Sequence, residues 1–305
     1  MNPLRGIALK VASVCVFVAM ASIIKGTSDS VPPGEAVFFR SFFAIPVIVV
    51  WLGYTGTLRK GLSTRNPLGH FWRGLIGTSA MGFGFAGLGL LPLPEVTAIG
   101  YAAPLLTVVF AAMFLGEEVR LFRILTVALG MAGVLVVLSP RLTAIEAEGF
   151  DFQQTLGAIV VLTGAVFAAL AQVFVRKLVA EESTSSIVFW FSVSASTLAL
   201  LTIPFGWTMP DPATFALLIG AGLLGGIGQV LLTSSYRHAD TSVIAPFEYA
   251  SMLLAIIVGY AFFDEVPTLT VLGGAALVVS AGILIIWRER RLGIERDRQR
   301  QSMTP

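Results

Sequence analysis

Charge is scarce in this chain: Asp, Glu, Lys and Arg supply 12% of its 305 residues, while hydrophobic residues supply 56%. That balance, with a mean hydropathy of +0.86, excludes a water-soluble globular domain and indicates a polytopic membrane protein. Cysteine is nearly missing as well. With Cys15 alone, there can be no internal disulfide and no multi-cysteine metal cluster. Only two histidines are present, His70 and His238; both fall in stretches read as loops, which argues against a histidine proton relay across the bilayer. No H-E-x-x-H helix, no diphosphate-chelating acid cluster and no G-x-x-x-x-G-K-[ST] loop occurs, so an intramembrane protease, a prenyl transferase and a nucleotide-driven pump lack their chemistry. The chain is therefore expected to be no enzyme and to need no cofactor, metal or nucleic acid.

What the sequence has instead is apolar runs. A helix needs roughly 17–25 such residues to cross about 30 Å of hydrocarbon. Ten candidates qualify, near residues 7–25, 36–54, 73–91, 95–115, 121–138, 156–175, 187–205, 213–233, 241–262 and 269–287. The loops between them alternate in charge. Arg5, Lys10, Arg59, Lys60, Arg65, Arg73, Arg120, Arg123, Arg176, Lys177, Arg237 and the tail RERRLGIERDRQR fall on one side. The other side holds little more than Lys25 and Arg141, beside Asp29, Glu35, Glu146, Glu148, Asp151, Asp211, Asp264 and Glu265. Basic residues resist translocation, so both termini are expected in the cytoplasm, with the chain in a cell inner membrane.

The second half echoes the first. Residues 94–138 and 241–285 each comprise an apolar segment, an acid pair followed by Val, and a second apolar segment, with Glu117-Glu118 and Asp264-Glu265 in matching places. With ten spans the two acid pairs face opposite sides. The expected fold is thus all-α, ten transmembrane helices in two inverted five-helix repeats: 1–145 (spans 1–5) and 146–290 (spans 6–10), followed by a basic cytoplasmic tail, 291–305. Inverted repeats are the sequence mark of many alternating-access carriers. Span three carries Gly74, Gly77, Gly82, Gly84, Gly87 and Gly89, and span eight carries Gly220, Gly222, Gly225, Gly226 and Gly228. Small residues let helix backbones approach closely in lipid.

The five-plus-five pattern, the LGEEV and FDEV closures, and PFEYASMLLAIIVGYAFFDEV near the end resemble the EamA branch of the drug/metabolite transporter superfamily across nearly the whole chain. The resemblance implies a ten-helix carrier with a central cavity for small organic solutes such as amino acids, nucleosides or vitamins, riboflavin among them.

Ionisable groups within spans are costly and call for an explanation. Glu248 lies in span nine beyond Pro246, whose missing N–H can loosen the helix; it reads either as a cavity carboxylate, the role its motif has by resemblance, or as an acid paired to a neighbouring helix. Arg40, one turn into span two, either snorkels to headgroups or faces the cavity, where its planar guanidinium suits a carboxylate. Lys25 reads as a snorkelling anchor. Gln172 and Gln229 are buried amides that bond to solute or to neighbouring helices. Tyr101 and Tyr249 stand near equivalent positions of the two copies, and with Phe247, Phe83 and Phe85 offer faces on which a planar solute can stack. The acid pairs lack further ligands for a metal. The expected partners are a small-molecule solute and the lipid bilayer; nothing in the chain specifies an oligomeric state. A membrane assembly or sensor protein is the alternative if no cavity exists.

Overall fold

A computed structural model describes residues 3–115, 121–143, 152–179, 181–238 and 245–302. The first acid pair, Glu117-Glu118, and the boundary between the two repeats lie outside these residues. All regular structure among the described residues is helical. In lipid this follows from the backbone itself, because an α-helix satisfies its own N–H and C=O groups where no water can.

The chain runs through α1 (Pro3–Thr27), α2 (Pro33–Phe42), α3 (Ala44–Tyr54), a short α4 (Leu58–Leu62), α5 (Pro67–Leu90), α6 (Leu93–Gly100), α7 (Ala102–Leu115), α8 (Leu121–Thr143), α9 (Phe152–Val179), α10 (Thr184–Ala199), α11 (Pro212–His238), α12 (Ala250–Phe263) and α13 (Leu269–Ser302). One 3-10 turn, Leu200–Phe205, extends α10, and another, Ala245–Tyr249, leads into α12. Seven helical stretches are long and apolar enough to cross a membrane, and two shorter apolar helices lie at Ile124–Pro140 and Phe247–Phe263. The 24 residues of α5 are as long as these stretches but diluted by glycine and Arg73. The protein is a multi-pass membrane protein.

Two of the expected continuous spans are broken, for one physical reason. Proline cannot donate to the carbonyl four residues back, and its ring crowds that carbonyl. Pro46 stands four residues after Phe42, and the helix breaks at Phe43 between α2 and α3. Pro104 stands four residues after Gly100, and the helix breaks at Tyr101 between α6 and α7.

The most extensive helix pairings are α1 with α11, α5 with α9, and α8 with α13, with α7 also lying along α9. Glycine makes one of these unusually close: a Cβ at Gly133 of α8 would stand 2.7 Å from the carbonyl oxygen of Gly274 in α13, and a Cβ at Gly274 would stand 2.6 Å from that of Gly133. Neither position has room for a side chain.

Polar contacts gather at the two ends of the bundle. At one end, Lys25 Nζ donates to the Leu88 and Leu91 carbonyls at 3.1 and 2.8 Å and pairs with Glu265 Oε1 at 2.8 Å. Close by, the Thr208 N–H donates to Glu35 Oε2 at 3.4 Å. At the other end, Glu182 Oε1 accepts from Thr64 Oγ1, Arg65 N and Asn66 N at 2.7, 2.6 and 2.9 Å. There burial pushes the Glu182 carboxyl up, and these hydrogen bonds outweigh it, holding the group below the usual carboxylate range. Each set of contacts joins loops that the charge pattern assigns to one side. Two readings of single residues change. His70 is not in a loop but in the first turn of α5, 3% exposed, and Lys25 is an ion-paired tie between elements rather than a snorkelling anchor.

Candidate transport site

The Tyr101 break and the 3-10 turn at Ala245–Tyr249 meet inside the bundle. The Tyr101 and Tyr249 rings pack edge to face, centroids 5.1 Å apart at 71°, a geometry favoured by the opposed charge of ring edge and face. Tyr101 is 7% exposed, and its hydroxyl hydrogen-bonds Ser251 Oγ at 2.6 Å. Ser251 Oγ in turn donates to the Glu248 carbonyl at 2.7 Å. A buried hydroxyl is thereby satisfied by the partner helix. On the far side of Tyr249 stands Gly282 of α13, where a Cβ would fall on the Tyr249 hydroxyl. Only glycine leaves that ring its place.

Glu248 itself is half exposed, and its Oε2 forms an ion pair and hydrogen bond with Lys10 Nζ of α1. Lys10 is 2% exposed. It is therefore no loop cation, as the charge pattern suggested, but a group buried within α1. Its charge needs a counterion there, and Glu248 supplies it while keeping carboxylate surface open. The arrangement unites a carboxylate, an ammonium and two tyrosines on α1, the break between α6 and α7, and the turn leading into α12. Such a set can bind a polar or planar solute, or exchange a proton at the carboxylate, without metal chemistry. Among the described residues, no group of three or more His, Cys, Asp or Glu could hold a metal ion.

A family model for the EamA-like transporter family matches residues 4–139 and 155–287. The chain belongs to that family. Its relatives include the pseudopaline exporter CntI of Pseudomonas aeruginosa, 30% identical over 90% of this chain and 94% of that one. The S-adenosylmethionine uptake transporter of Rickettsia bellii is 27% identical over 84% of each chain. A riboflavin transporter of Rhizobium johnstonii is 27% identical over 85% of this chain and 83% of its own. One crystal structure, 21% identical, superimposes with a TM-score of 0.65 over 94% of this chain and 98% of the other, a likeness of fold alone. These relatives move small metabolites across membranes.

Of the other candidate residues of this EamA-like chain, Phe247 adjoins the tyrosine site and the rest fall apart from it. Phe247, partly buried, adjoins Glu248 in the same turn. Gln229 is partly buried on α11, whereas Gln172 is exposed on α9. Arg40 is 7% exposed on α2, with Cζ 5.9 Å from the Phe191 ring centroid. Phe83 lines a separate cavity between α2, α5 and α10. Two residues were missed as site candidates, Lys10 and Arg73. Both looked like loop cations because they lie within a few residues of a predicted span end, and the signal against that reading was position: each stands two turns or so inside its helix.

Proposed function

We propose that this protein is a secondary transporter that carries a small organic metabolite, a vitamin such as riboflavin or an amino acid, across the cell inner membrane by alternating access. Two five-helix halves, near 1–145 and 146–290, lie antiparallel in the bilayer with both termini cytoplasmic, and rock about a site where the Tyr101 break faces the 3-10 turn ending at Tyr249. The observation that carries this reading is the meeting of that break with that turn, one from each half, beside the half-open Glu248 carboxylate. The helix pairings support it too. If the halves are related by a two-fold axis, the contact of span one with span eight must recur as span six with span three, and α1 on α11 and α5 on α9 have that relation.

The Lys25–Glu265 tie with Leu88, Leu91 and Leu93 holds the non-cytoplasmic end closed. Solute then reaches Glu248 from the cytoplasmic side, and its differential contact with the two states biases their equilibrium. Glu248, Tyr249, Tyr101 and Phe247 form the core of this binding site, with the partly buried Gln229 and the buried Arg40 as solute contacts beyond it, whereas Gln172, exposed on α9, has no part in it. An assembly or sensor role finds no support among the relatives.

Counterflow into proteoliposomes tests the proposal. Riboflavin, amino acids and nucleosides are screened against wild type, and the preferred solute against Glu248→Gln. Saturable uptake, reduced at least tenfold and altered in pH dependence by the substitution, is expected. Unchanged uptake with unchanged pH dependence would remove Glu248 from the mechanism.

A further inference from the structure

Two arginines approach one aromatic ring inside the bundle, and among the described residues no acid neutralises them. Arg73 Cζ stands 4.1 Å and Arg40 Cζ 5.9 Å from the Phe191 centroid. Arg40 is 7% exposed. Arg73 Nε and Nη1 are buried and lack any hydrogen-bond partner, and no described carboxylate pairs with either guanidinium. Cation–π contact offsets part of the cost of burying each charge, but it leaves the N–H donors unused. Buried donors are ordinarily satisfied, and uncompensated charge in a membrane is expensive. The pair is built in, too. A Cβ at Gly77 would fall on Arg73 Nη1, and one at Gly225 would stand 3.2 Å from Arg40 Nε.

The same three helices line an open cavity of about 420 Å³, within the size range of small-molecule pockets. Its walls are Val37 and Gly34 of α2, Leu75, Gly82 and Phe83 of α5, and Leu198 of α10. The basic pair lies toward one end of it on every helix. Arg40 is one turn beyond Val37, Phe191 is two turns back from Leu198, and Arg73 is little more than a turn before Thr78. Thr78 lines the cavity with its hydroxyl buried and unpartnered. Neither guanidinium lines the cavity itself; on all three helices the pair lies one to two turns beyond its lining residues, with the spare Thr78 hydroxyl on the wall.

We propose that Arg40 and Arg73 form an anion subsite that takes the carboxylate of an amphipathic organic acid, whose apolar body occupies the cavity between α2, α5 and α10. The planar guanidinium fork matches a carboxylate's two oxygens, and the neighbouring walls select an apolar or aromatic body rather than a hydrophilic one. This inference rests on the transporter reading for the solute's fate but not for its binding.

Binding is measured by isothermal titration of the purified full-length protein in phosphatidylcholine nanodiscs, with 4-phenylbutyrate, its neutral amide and the corresponding amine as probes. Wild type is expected to bind the acid at least tenfold more tightly than the amide, and the amine not at all. Arg73→Gln and Arg40→Gln are each expected to erase that preference. The acid-to-amide ratio is read on wild type alone, so a variant that fails to fold leaves the test intact. Equal affinity for acid and amide overturns the proposal. So does loss of the acid's binding when phosphatidylglycerol replaces part of the phosphatidylcholine, which would mark the pair as a lipid-headgroup site. Failure of counterflow with normal acid binding would instead count against the transport reading.

Discussion

Lys25 Nζ and Glu265 Oε1 stand 2.8 Å apart, joining the end of α1 to the loop that follows α12. The second carboxylate oxygen, Oε2, accepts the Leu93 N–H at 2.8 Å, and Lys25 also caps the Leu88 and Leu91 carbonyls. Four segments are thereby tied at one point. Both side chains are mostly buried, and removing one member of such a pair costs about 3–5 kcal/mol.

Lys25→Met is expected to spend that energy against the closed state. In a Cys15→Ala background carrying Thr97→Cys, a membrane-impermeant maleimide added outside should label the cysteine at least tenfold faster when Lys25 is replaced. Equal labelling rates would show that the tie does not govern closure.

Lys10 and Glu248 are expected to behave as a coupled pair. Lys10→Met alone leaves a carboxylate without its cation, and Glu248→Gln alone leaves a buried ammonium without its acid, so each should lower the thermal midpoint. The double substitution should recover most of that stability, with a coupling energy of about 0.5–3 kcal/mol, yet remain inactive in counterflow. Recovery of transport with stability would assign the pair to structure alone.

Gly282→Ala is expected to displace the Tyr249 ring, because the new methyl falls on its hydroxyl. Overpacking of this kind costs about 1–3 kcal/mol. Thermal denaturation should show that loss, and transport should fall at least tenfold as the edge-to-face contact with Tyr101 is disturbed. Gly273→Ala, where a Cβ meets nothing within 4 Å, is the control.

Acid should loosen the contact between the segment at 64–66 and Glu182. The Glu182 carboxyl is held below its ordinary value of 4.5, so its contribution is fully present above that pH and is lost as pH falls through the lower folded value. Glu182→Gln should reduce stability at neutral pH by about 2 kcal/mol, the worth of hydrogen bonds to a charged group, and flatten the acid limb of the stability profile. An unchanged acid limb would contradict this.

The membrane class, the approximate spans and the tyrosine pair were legible in the sequence because each has a local signal: apolar length, and for the Tyr101 break a proline four residues beyond Gly100. Long-range pairing has none. Lys10 meets Glu248 across 238 positions, and although its place inside the first span argues against a loop cation, nothing around it names the acid it meets. Span three was named from its sequence, yet the glycines that serve the packing of α5 dilute its hydropathy, and it is not among the seven stretches long and apolar enough to cross a membrane. Gln172 shows a further limit: α9 is apolar nearly all round, and a helix without an amphipathic stripe does not declare which face turns inward. Arg73 was hidden for both reasons, lying near a span end and finding its place only through Gly77 and Phe191.

The rocking of two halves is tested most directly by locking one end. In the Cys15→Ala background, Lys25→Cys and Glu265→Cys are bridged by a short bis-maleimide, and counterflow of the preferred solute is compared with that of the same variant before bridging. The alternating-access account predicts that bridged protein still binds solute but carries none. Transport at the unbridged rate through a locked end would contradict it.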